Sequence, residues 1–120
     1  MSKRNVKLLY VEDEDMIREA IGRALSRVYE HVILCQNGEE GFNAFLEHSP
    51  DIVLTDIEMP ILNGRELVAK IKAVNPAMPC LVLTAYKDPK YLVENAEITL
   101  YKPVVLADLL QNIDKFLTGI

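Results

Sequence analysis

The chain has 120 residues, half of them apolar, and a formal net charge of −5 at pH 7. This length suits one domain, residues 1–120, with a single core. The negative charge argues against direct binding of nucleic acid, which needs basic residues to neutralise phosphates, and the apolar run at residues 8–11 is far too short for a signal peptide or a membrane span.

Two cysteines give a further indication of the compartment. Cys35 and Cys80 lack CxxC spacing, and each lies at the edge of an apolar run. We interpret them as small buried hydrophobic residues in a reducing cytosol rather than as a disulfide or a metal site. A soluble cytoplasmic protein is therefore expected.

The first predicted strand covers residues 6–11 and ends in the acidic residues 12–15. From Asp15 onward, apolar residues recur at spacings of three and four, which predicts an amphipathic helix to about Tyr29. Acidic residues in its first turn suit the helix dipole.

The second strand and helix follow directly. Residues 31–35 predict a strand. Asn37 with Glu40 three residues later is a capping-box arrangement, which predicts a helix through about His48.

The third strand is the most informative stretch. Residues 51–55 predict a strand, and the four β-compatible residues 52–55 follow one another without polar alternation, which is typical of a strand buried on both faces of a parallel sheet. The run delivers Asp56 to a loop, where Pro60 prevents its continuation and Asn63-Gly64 supplies turn chemistry before the next helix. Taken alone, Asp56 has the alternative interpretation of a loop residue that caps the following turn.

Apolar residues that recur at helical spacing predict a third helix over Gly64–Val74, with these residues on one face. Asn75-Pro76 ends this helix. Residues 79–83 predict a fourth strand, which ends at Thr84.

The last part of the chain repeats the alternation. Asp88-Pro89 is a favourable start for a short fourth helix, to about Asn95. Ile98–Tyr101 predicts a fifth strand that ends at Lys102-Pro103, and apolar residues from 106 to 117 at helical spacing predict a final helix.

Five strand–helix repeats predict an α/β fold with a parallel sheet covered by helices on both faces. In a doubly wound sheet with the first strand between the second and the third, the ends of the first, third, fourth and fifth strands surround one crevice. These ends bring together Glu12, Asp13, Asp56, Thr84 and Lys102.

Three carboxylates in a small space repel one another, so this site favours a bound cation. Mg²⁺ fits best, because it is a hard ion held by a few carboxylate oxygens with positions left for water and phosphate. Ca²⁺ would need more oxygen ligands, and no soft ligand is present for zinc. With the metal and a lysine neutralising a transferring phosphoryl group, a carboxylate can attack it, which predicts an aspartyl phosphate on Asp56.

The pattern resembles the receiver domain of two-component response regulators. The resemblance rests on residues 9–14, on residues 51–60 with Asn63-Gly64, on Leu83-Thr84-Ala85 and on Lys102-Pro103. It covers the whole chain and implies a flavodoxin-like doubly wound (βα)5 sandwich, whose five-stranded parallel sheet has the order 2-1-3-4-5.

The resemblance also implies a role for each site residue. Asp56 is expected to be the phosphoacceptor, Asp13 to bind Mg²⁺ directly, and Glu12 to act largely through water. A further metal ligand is expected from the main-chain carbonyl of Glu58.

The switch residues follow from the same resemblance. Thr84 is expected to be the hydroxyl that moves toward the phosphoryl group, and Lys102 its ion-pair partner. The Lys102-Pro103 bond is expected to be cis.

The chain departs from the family pattern on the side expected to signal. Thr99 stands three residues before the lysine, where the family usually has Tyr or Phe. Tyr101 or Tyr86 is a candidate to replace that ring. The alternative for both tyrosines is ordinary packing. The segment from Thr84 to Lys102 is short for the family, by about one helical turn.

Two residues near the site are candidates for tuning the lifetime of the phosphorylated state. Glu58 could repel or orient the attacking water, and Tyr86 could shield the acyl phosphate. We state both roles as hypotheses.

The function implied is a signalling switch and not a turnover enzyme. A histidine kinase or phosphotransfer protein is the implied phosphodonor. Phosphorylation would change the face formed by the fourth predicted helix, the fifth strand and the last helix, and this face would bind a downstream protein, a fused output domain or a second copy in a phosphorylation-dependent homodimer.

Two alternatives come from other classes of protein. A pseudo-receiver would keep the fold as an interaction module without accepting phosphate. A haloacid-dehalogenase-like phosphohydrolase also uses Asp and Mg²⁺, but its motif belongs on the first strand. His31 and His48 lie at element ends, which argues against a histidine phosphotransfer role and indicates solvated or partly packed side chains.

Overall fold

The computed structural model describes residues 2–87 and 92–117 of the chain. Strand and helix alternate along most of this length. The strands are β1 (Arg4–Val11), β2 (Tyr29–Cys35), β3 (Ile52–Asp56), β4 (Cys80–Thr84) and β5 (Ile98–Tyr101). The helices are α1 (Asp15–Ser26), α2 (Gly38–His48), α3 (Gly64–Val74) and α4 (Leu106–Lys115).

The five strands form one parallel sheet in the order β2-β1-β3-β4-β5, which confirms the predicted topology. The register is continuous through the centre of the sheet, where Leu54 of β3 pairs with Tyr10 of β1 and Leu81 of β4. All strands therefore end at the same edge.

The sheet has an apolar core on each face. On one side, residues of α2 and α3 such as Phe45, Leu67 and Ile71 pack on alternate residues of the central strands. On the other side, Leu25 of α1 and Leu109 of α4 pack on the intervening residues. Strands covered on both sides need no polar alternation, which explains the continuous apolar runs in the sequence.

The caps of α2 and α3 follow the sequence. The Asn63 side chain accepts a hydrogen bond from Glu66 N, and the Glu66 carboxylate accepts one from Asn63 N, which is a complete capping box. Asn37 caps α2 by accepting from Glu40 N at 2.9 Å, but the Glu40 carboxylate accepts from Gln36 instead of Asn37. The capping box predicted at α2 is thus only half formed.

The prediction that α1 extends to about Tyr29 is wrong. The helix ends at Ser26, and Tyr29 begins β2, where it pairs with Arg4 of β1 and is 1% exposed. The apolar spacing continues through Val28, but burial of Tyr29 and its sheet pairing decide the conformation there.

Half of the predicted short helix from Asp88-Pro89 to Asn95 lies outside the described residues. Its described part, residues 92–95, adopts a turn and no helix. The fourth helix in the described part of the chain is therefore α4.

The start of β5 is attached to its neighbours by Glu97. Glu97 N donates to Cys80 O at 2.9 Å, and the Glu97 carboxylate accepts from Cys80 N at 2.7 Å. The Lys72 ammonium of α3 lies 2.8 Å from both Glu97 carboxylate oxygens. These contacts fix the beginning of β5 against β4 and α3.

The structure confirms the predicted exposure of the two histidines and the predicted burial of the two cysteines. His31 and His48 are exposed, and Cys35 and Cys80 are buried free thiols. Burial raises the pKa of Cys35 to about 11 and that of Cys80 to about 12, so both thiols stay protonated at neutral pH.

Candidate phosphoacceptor site

Three charged side chains meet at the edge where the strands end. Asp56 is the last residue of β3, while Glu12 and Lys102 each follow a strand by one residue. Their main chains continue the sheet ladders, because Glu12 N donates to Cys35 O at 3.0 Å and Lys102 N to Thr84 O at 2.8 Å. The side chains are therefore placed by the sheet rather than by free loops.

Strand alternation brings the three side chains to one face. Tyr10, Leu54 and Leu100 pack together in the core on the α1 and α4 side. Glu12, Asp56 and Lys102 each lie two residues further along, so they extend the same face beyond the core.

The Lys102 ammonium bridges two carboxylates. Its Nζ lies 3.1 Å from Glu12 Oε1 and 3.3 Å from Asp56 Oδ2. Glu12 Oε2 accepts from Glu14 N at 3.2 Å, and Asp56 Oδ1 accepts from Ile57 N at 2.9 Å. Both carboxylates are thus held in fixed orientations.

The carboxylates are buried and repel each other. Glu12 is fully buried and Asp56 is 7% exposed. Burial and the charge of Glu12 raise the pKa of Asp56 to about 7, although Lys102 and the Ile57 amide act in the opposite direction. The pKa of Asp13 is also raised, by burial and by the neighbouring Glu12 carboxylate.

Lys102 stays protonated in this setting. Burial alone would lower its pKa, but the charges of Asp56 and Glu12 outweigh that effect and raise it. One ammonium thus faces more negative charge than it can neutralise.

The acidic residues suit a divalent cation. Glu12, Asp13 and Asp56 each place a carboxylate oxygen so that all three oxygens lie within 4.8 Å of one another. Oxygen donors at this spacing match a hard ion such as Mg²⁺, and a cation there would offset the repulsion between the Glu12 and Asp56 carboxylates. The residues present therefore fit the expected metal.

Glu58 lies beside this cluster. Together with Asp13, Met59 and Arg65 it lines a cavity of about 550 Å³. Glu58 therefore borders the same open space as Asp13, one of the three acidic residues.

The expected switch hydroxyl lies at the same edge. Thr84, the last residue of β4, is 2% exposed, and its Oγ1 accepts a hydrogen bond from Tyr86 N at 3.1 Å. The Lys102-Pro103 bond is cis, as predicted.

The aromatic residues on the expected signalling side are more open. Tyr86 is 46% exposed and Tyr101 is 44% exposed, so neither ring is packed into the core. The Lys87 ammonium lies 5.5 Å from the centroid of the Tyr101 ring. Thr99 is partly buried, on the middle of β5.

Sequence reasoning missed two contacts that shape the loops of the site. Arg18 Nη1 donates to the main-chain oxygen of Glu12 at 2.9 Å, which ties α1 to the end of β1. Gly64 N donates to Ile57 O at 2.7 Å, and a Cβ at Gly64 would lie 2.1 Å from the main-chain oxygen of Asp56. Gly64 is therefore required for close approach of α3 to Asp56.

The turn between β3 and α3 also differs from the sequence prediction. Asn63 has an extended backbone and caps α3, whereas Ile61 adopts the left-handed conformation with φ of 72°. Ile61 is 71% exposed. A β-branched residue is strained in this region, so the loop is held by its neighbours.

Comparison with known proteins assigns the family. The profile of the response regulator receiver domain matches residues 8–114. The chain belongs to this family, whose members act as phosphorylation-dependent switches in two-component signalling.

Relatives and solved structures agree with this assignment. The chain is similar to a cyclic di-GMP phosphodiesterase of Thermotoga maritima, with 39% identity over 82% of this chain and 27% of that protein. It is 35% identical to the transcriptional regulatory protein LnrK of Bacillus subtilis, over 77% of this chain and 43% of that one. A receiver domain structure from Clostridium thermocellum superposes with a TM-score of 0.86 at 31% identity, covering 93% of this chain and 94% of that one.

The chain thus spans less than half the length of these two curated relatives. Among the described residues, none of the helices is long and apolar enough to cross a membrane.

Proposed function

We propose that the chain is a switch in which Asp56 accepts a phosphoryl group from a histidine kinase or phosphotransfer protein in a Mg²⁺-dependent reaction. The observation that supports this most directly is the contact of the Lys102 ammonium with Asp56 beside a cluster of three carboxylates. We expect the exchange to take place in the cytoplasm.

The transfer step needs an ionised Asp56. One carboxylate oxygen of Asp56 attacks phosphorus, the bond from phosphorus to the donor nitrogen breaks, and its electron pair leaves with the donor imidazole. In the absence of metal the pKa of Asp56 is about 7, so only part of the protein has this nucleophile ready at neutral pH. Additional positive charge near Asp56 would ionise the rest.

Glu12, Asp13, Asp56 and the main-chain carbonyl of Glu58 would hold Mg²⁺, Glu12 mainly through water. When bound, the ion neutralises charge on the transferring group. This assignment rests on the spacing of the carboxylate oxygens and on the position of Glu58 in the adjoining cavity wall.

Lys102 and Thr84 would respond to the new group. The ammonium of Lys102 can leave Glu12 to pair with the phosphoryl oxygens, which carry more negative charge. The Thr84 hydroxyl already accepts from Tyr86 N, so its own proton is available for donation to a phosphoryl oxygen. Movement of Thr84 would shift the loop that follows β4.

The surface that changes on phosphorylation, and that a partner would bind, would be formed by β5, α4 and the segment after β4. Tyr101 lies on β5 opposite Thr84 in the sheet register, and Lys87 of the loop contacts its ring. We propose that Thr99 and Tyr101 belong to the surface that changes, and that a downstream protein, a fused output domain or a second copy binds there.

Glu58 and Tyr86 would set how long the phosphoryl group persists. They lie two residues beyond Asp56 and Thr84, with Glu58 on the cavity wall and Tyr86 hydrogen-bonded through its amide to Thr84. Substitution of either should change the rate of dephosphorylation. Equal rates in Glu58→Gln, Tyr86→Ala and the unmodified protein would refute this part.

The central test is phosphorylation with acetyl phosphate followed by intact mass spectrometry. We expect one phosphoryl group per chain with Mg²⁺ and none after chelation, and none in Asp56→Asn. Modification that persists in Asp56→Asn would place the acceptor elsewhere, and a complete lack of modification would favour the pseudo-receiver. The family assignment leaves the phosphohydrolase alternative without support, and steady turnover of a phosphomonoester would be needed to restore it.

A further inference from the structure

The hydroxyl of Tyr10 is an unusual group in the core of this protein. Tyr10 is 0% exposed, and among the side chains that the structure describes its hydroxyl oxygen is buried without a hydrogen-bond partner. A buried unpaired hydroxyl is unfavourable, and phenylalanine would fill nearly the same volume without that cost. A partner that this hydroxyl can reach in another state of the protein would remove that cost.

The surroundings of Tyr10 identify that partner. Tyr10 precedes Glu12 by two residues, so both side chains extend from the same face of the sheet. Besides burial, the negative charges of Glu12 and Asp56 and the nearness of a Glu12 oxygen as an acceptor raise the pKa of Tyr10. The hydroxyl thus lies beside the Glu12 carboxylate, but the two groups do not form a hydrogen bond of standard geometry in this state.

The Glu12 carboxylate has room for one more donor. It accepts from Lys102 Nζ through Oε1 and from Glu14 N through Oε2. A carboxylate offers about four acceptor positions, so two are used. Because Glu12 is fully buried, it would be left poorly compensated if Lys102 moved away.

We propose that Tyr10 is a positioning residue whose hydroxyl donates a hydrogen bond to Glu12 when Lys102 turns from Glu12 to the phosphoryl group on Asp56. This inference rests on the proposed function of Asp56. In the unphosphorylated protein Lys102 satisfies Glu12, and in the phosphorylated protein Tyr10 takes over part of that role. The orientation of Glu12 toward the metal position is thereby kept.

The test compares Tyr10→Phe with Tyr29→Phe. Tyr29 is a matched control, because it is also buried in the core on the α1 and α4 side but lies on β2, near Arg4 and Asp114 rather than near the three carboxylates. Beryllofluoride with Mg²⁺ serves as the probe for the phosphorylated state. We expect Tyr10→Phe to bind beryllofluoride about tenfold more weakly, the size of effect of a hydrogen bond to a charged group, and Tyr29→Phe to bind it as the unmodified protein does.

A second measurement does not depend on a variant that folds well. The NMR shift of the ring carbon that bears the Tyr10 hydroxyl, assigned in the unmodified protein by through-bond correlations along the side chain, should move when beryllofluoride is added, while that of Tyr29 should not. Mg²⁺ affinity without beryllofluoride should change less than about twofold, since Lys102 still pairs with Glu12 in that state.

The outcomes separate this inference from the proposed function. If the unmodified protein does not bind beryllofluoride, the proposed function of Asp56 fails. If the unmodified protein binds it but Tyr10→Phe binds equally well, or the Tyr10 shift does not move, only the inference on Tyr10 is overturned. An equal loss of Mg²⁺ affinity without beryllofluoride would also overturn it.

Discussion

The ammonium of Lys102 lies 3.1 Å from Glu12 Oε1 and 3.3 Å from Asp56 Oδ2, so one cation serves two buried carboxylates. The Lys102 side chain is 21% exposed and that of Glu12 is fully buried. Lys102 therefore has a structural role before any phosphoryl group arrives, because it offsets part of the cost of placing two acids together.

We expect Lys102→Met to destabilise the metal-free protein by about 2–4 kcal/mol, since it leaves buried carboxylates without their ammonium. The same change should increase Mg²⁺ affinity, because the ion no longer competes with a lysine for the same oxygens. Urea unfolding and Mg²⁺ titration measure the two effects. Lys102→Arg, which keeps the charge, should lose less stability, and a variant whose stability and Mg²⁺ affinity both matched the unmodified protein would contradict the assigned contacts.

Asp56 should give the metal-free protein a characteristic pH dependence. Its pKa is about 7 in the folded protein, above the ordinary value of about 4 in the unfolded chain. Between these values the folded protein retains a proton that the unfolded chain has released, so the free energy of unfolding falls as pH rises from about 4 to 7.

This fall should be a few kcal/mol at most and should flatten in Asp56→Asn. Mg²⁺ should oppose it, because a cation favours the ionised carboxylate. Urea unfolding at a series of pH values with chelator or with Mg²⁺ measures the effect. A metal-free protein that became more stable across this range, relative to Asp56→Asn, would have the opposite sign from the one expected.

Gly64→Ala should disrupt the site through the main chain. The added Cβ would lie 2.1 Å from Asp56 O and 2.8 Å from the Ile57 Cα, and these backbone atoms cannot move without displacing the end of β3. We expect a loss of about 3 kcal/mol or more and weaker beryllofluoride binding.

Gly22→Ala is the matched control for this change. Its Cβ would lie 2.8 Å from a terminal methyl carbon of Leu34, which belongs to a flexible side chain that is 42% exposed and can move. Since alanine is favoured over glycine in helix interiors, we expect little loss or a small gain in stability. Comparable stability of the two variants in urea would argue against the close approach at Gly64.

Ile61→Asn should stabilise the protein. Ile61 has φ of 72°, which a β-branched residue adopts at a cost, and it is 71% exposed, so little packing is lost. Asparagine visits this conformation more readily, and a gain of about 1 kcal/mol is expected. Ile61→Val keeps the β-branch and should give no gain. The midpoint of urea unfolding decides between them, and a destabilised Ile61→Asn would show that the side chain packs more than its exposure indicates.

The features that were predictable from sequence are those set by local pattern. Continuous apolar runs identified the buried strands, and the acids and the lysine that follow them identified the site edge, because parallel strands end together. Helix α3 was predicted with its observed bounds, since Asn63 and Asn75 mark its two ends.

The features that were missed depend on contacts between distant residues. Tyr29 continues the apolar pattern of α1, but its pairing with Arg4 places it in a strand. Gly64 reads as a turn residue, and only the approach of α3 to Asp56 O shows why a side chain is excluded there. In the sequence Tyr10 is one member of an apolar run. The surroundings of its hydroxyl depend on the folded structure, so the sequence alone did not single it out.

The short strand β5 is held at both ends. Glu97 joins its beginning to Cys80 and Lys72, and Lys102 N joins its end to Thr84 O. Because both anchors lie on β4 and α3, the position of the Lys102 ammonium follows from these elements rather than from the course of the chain between Thr84 and Glu97.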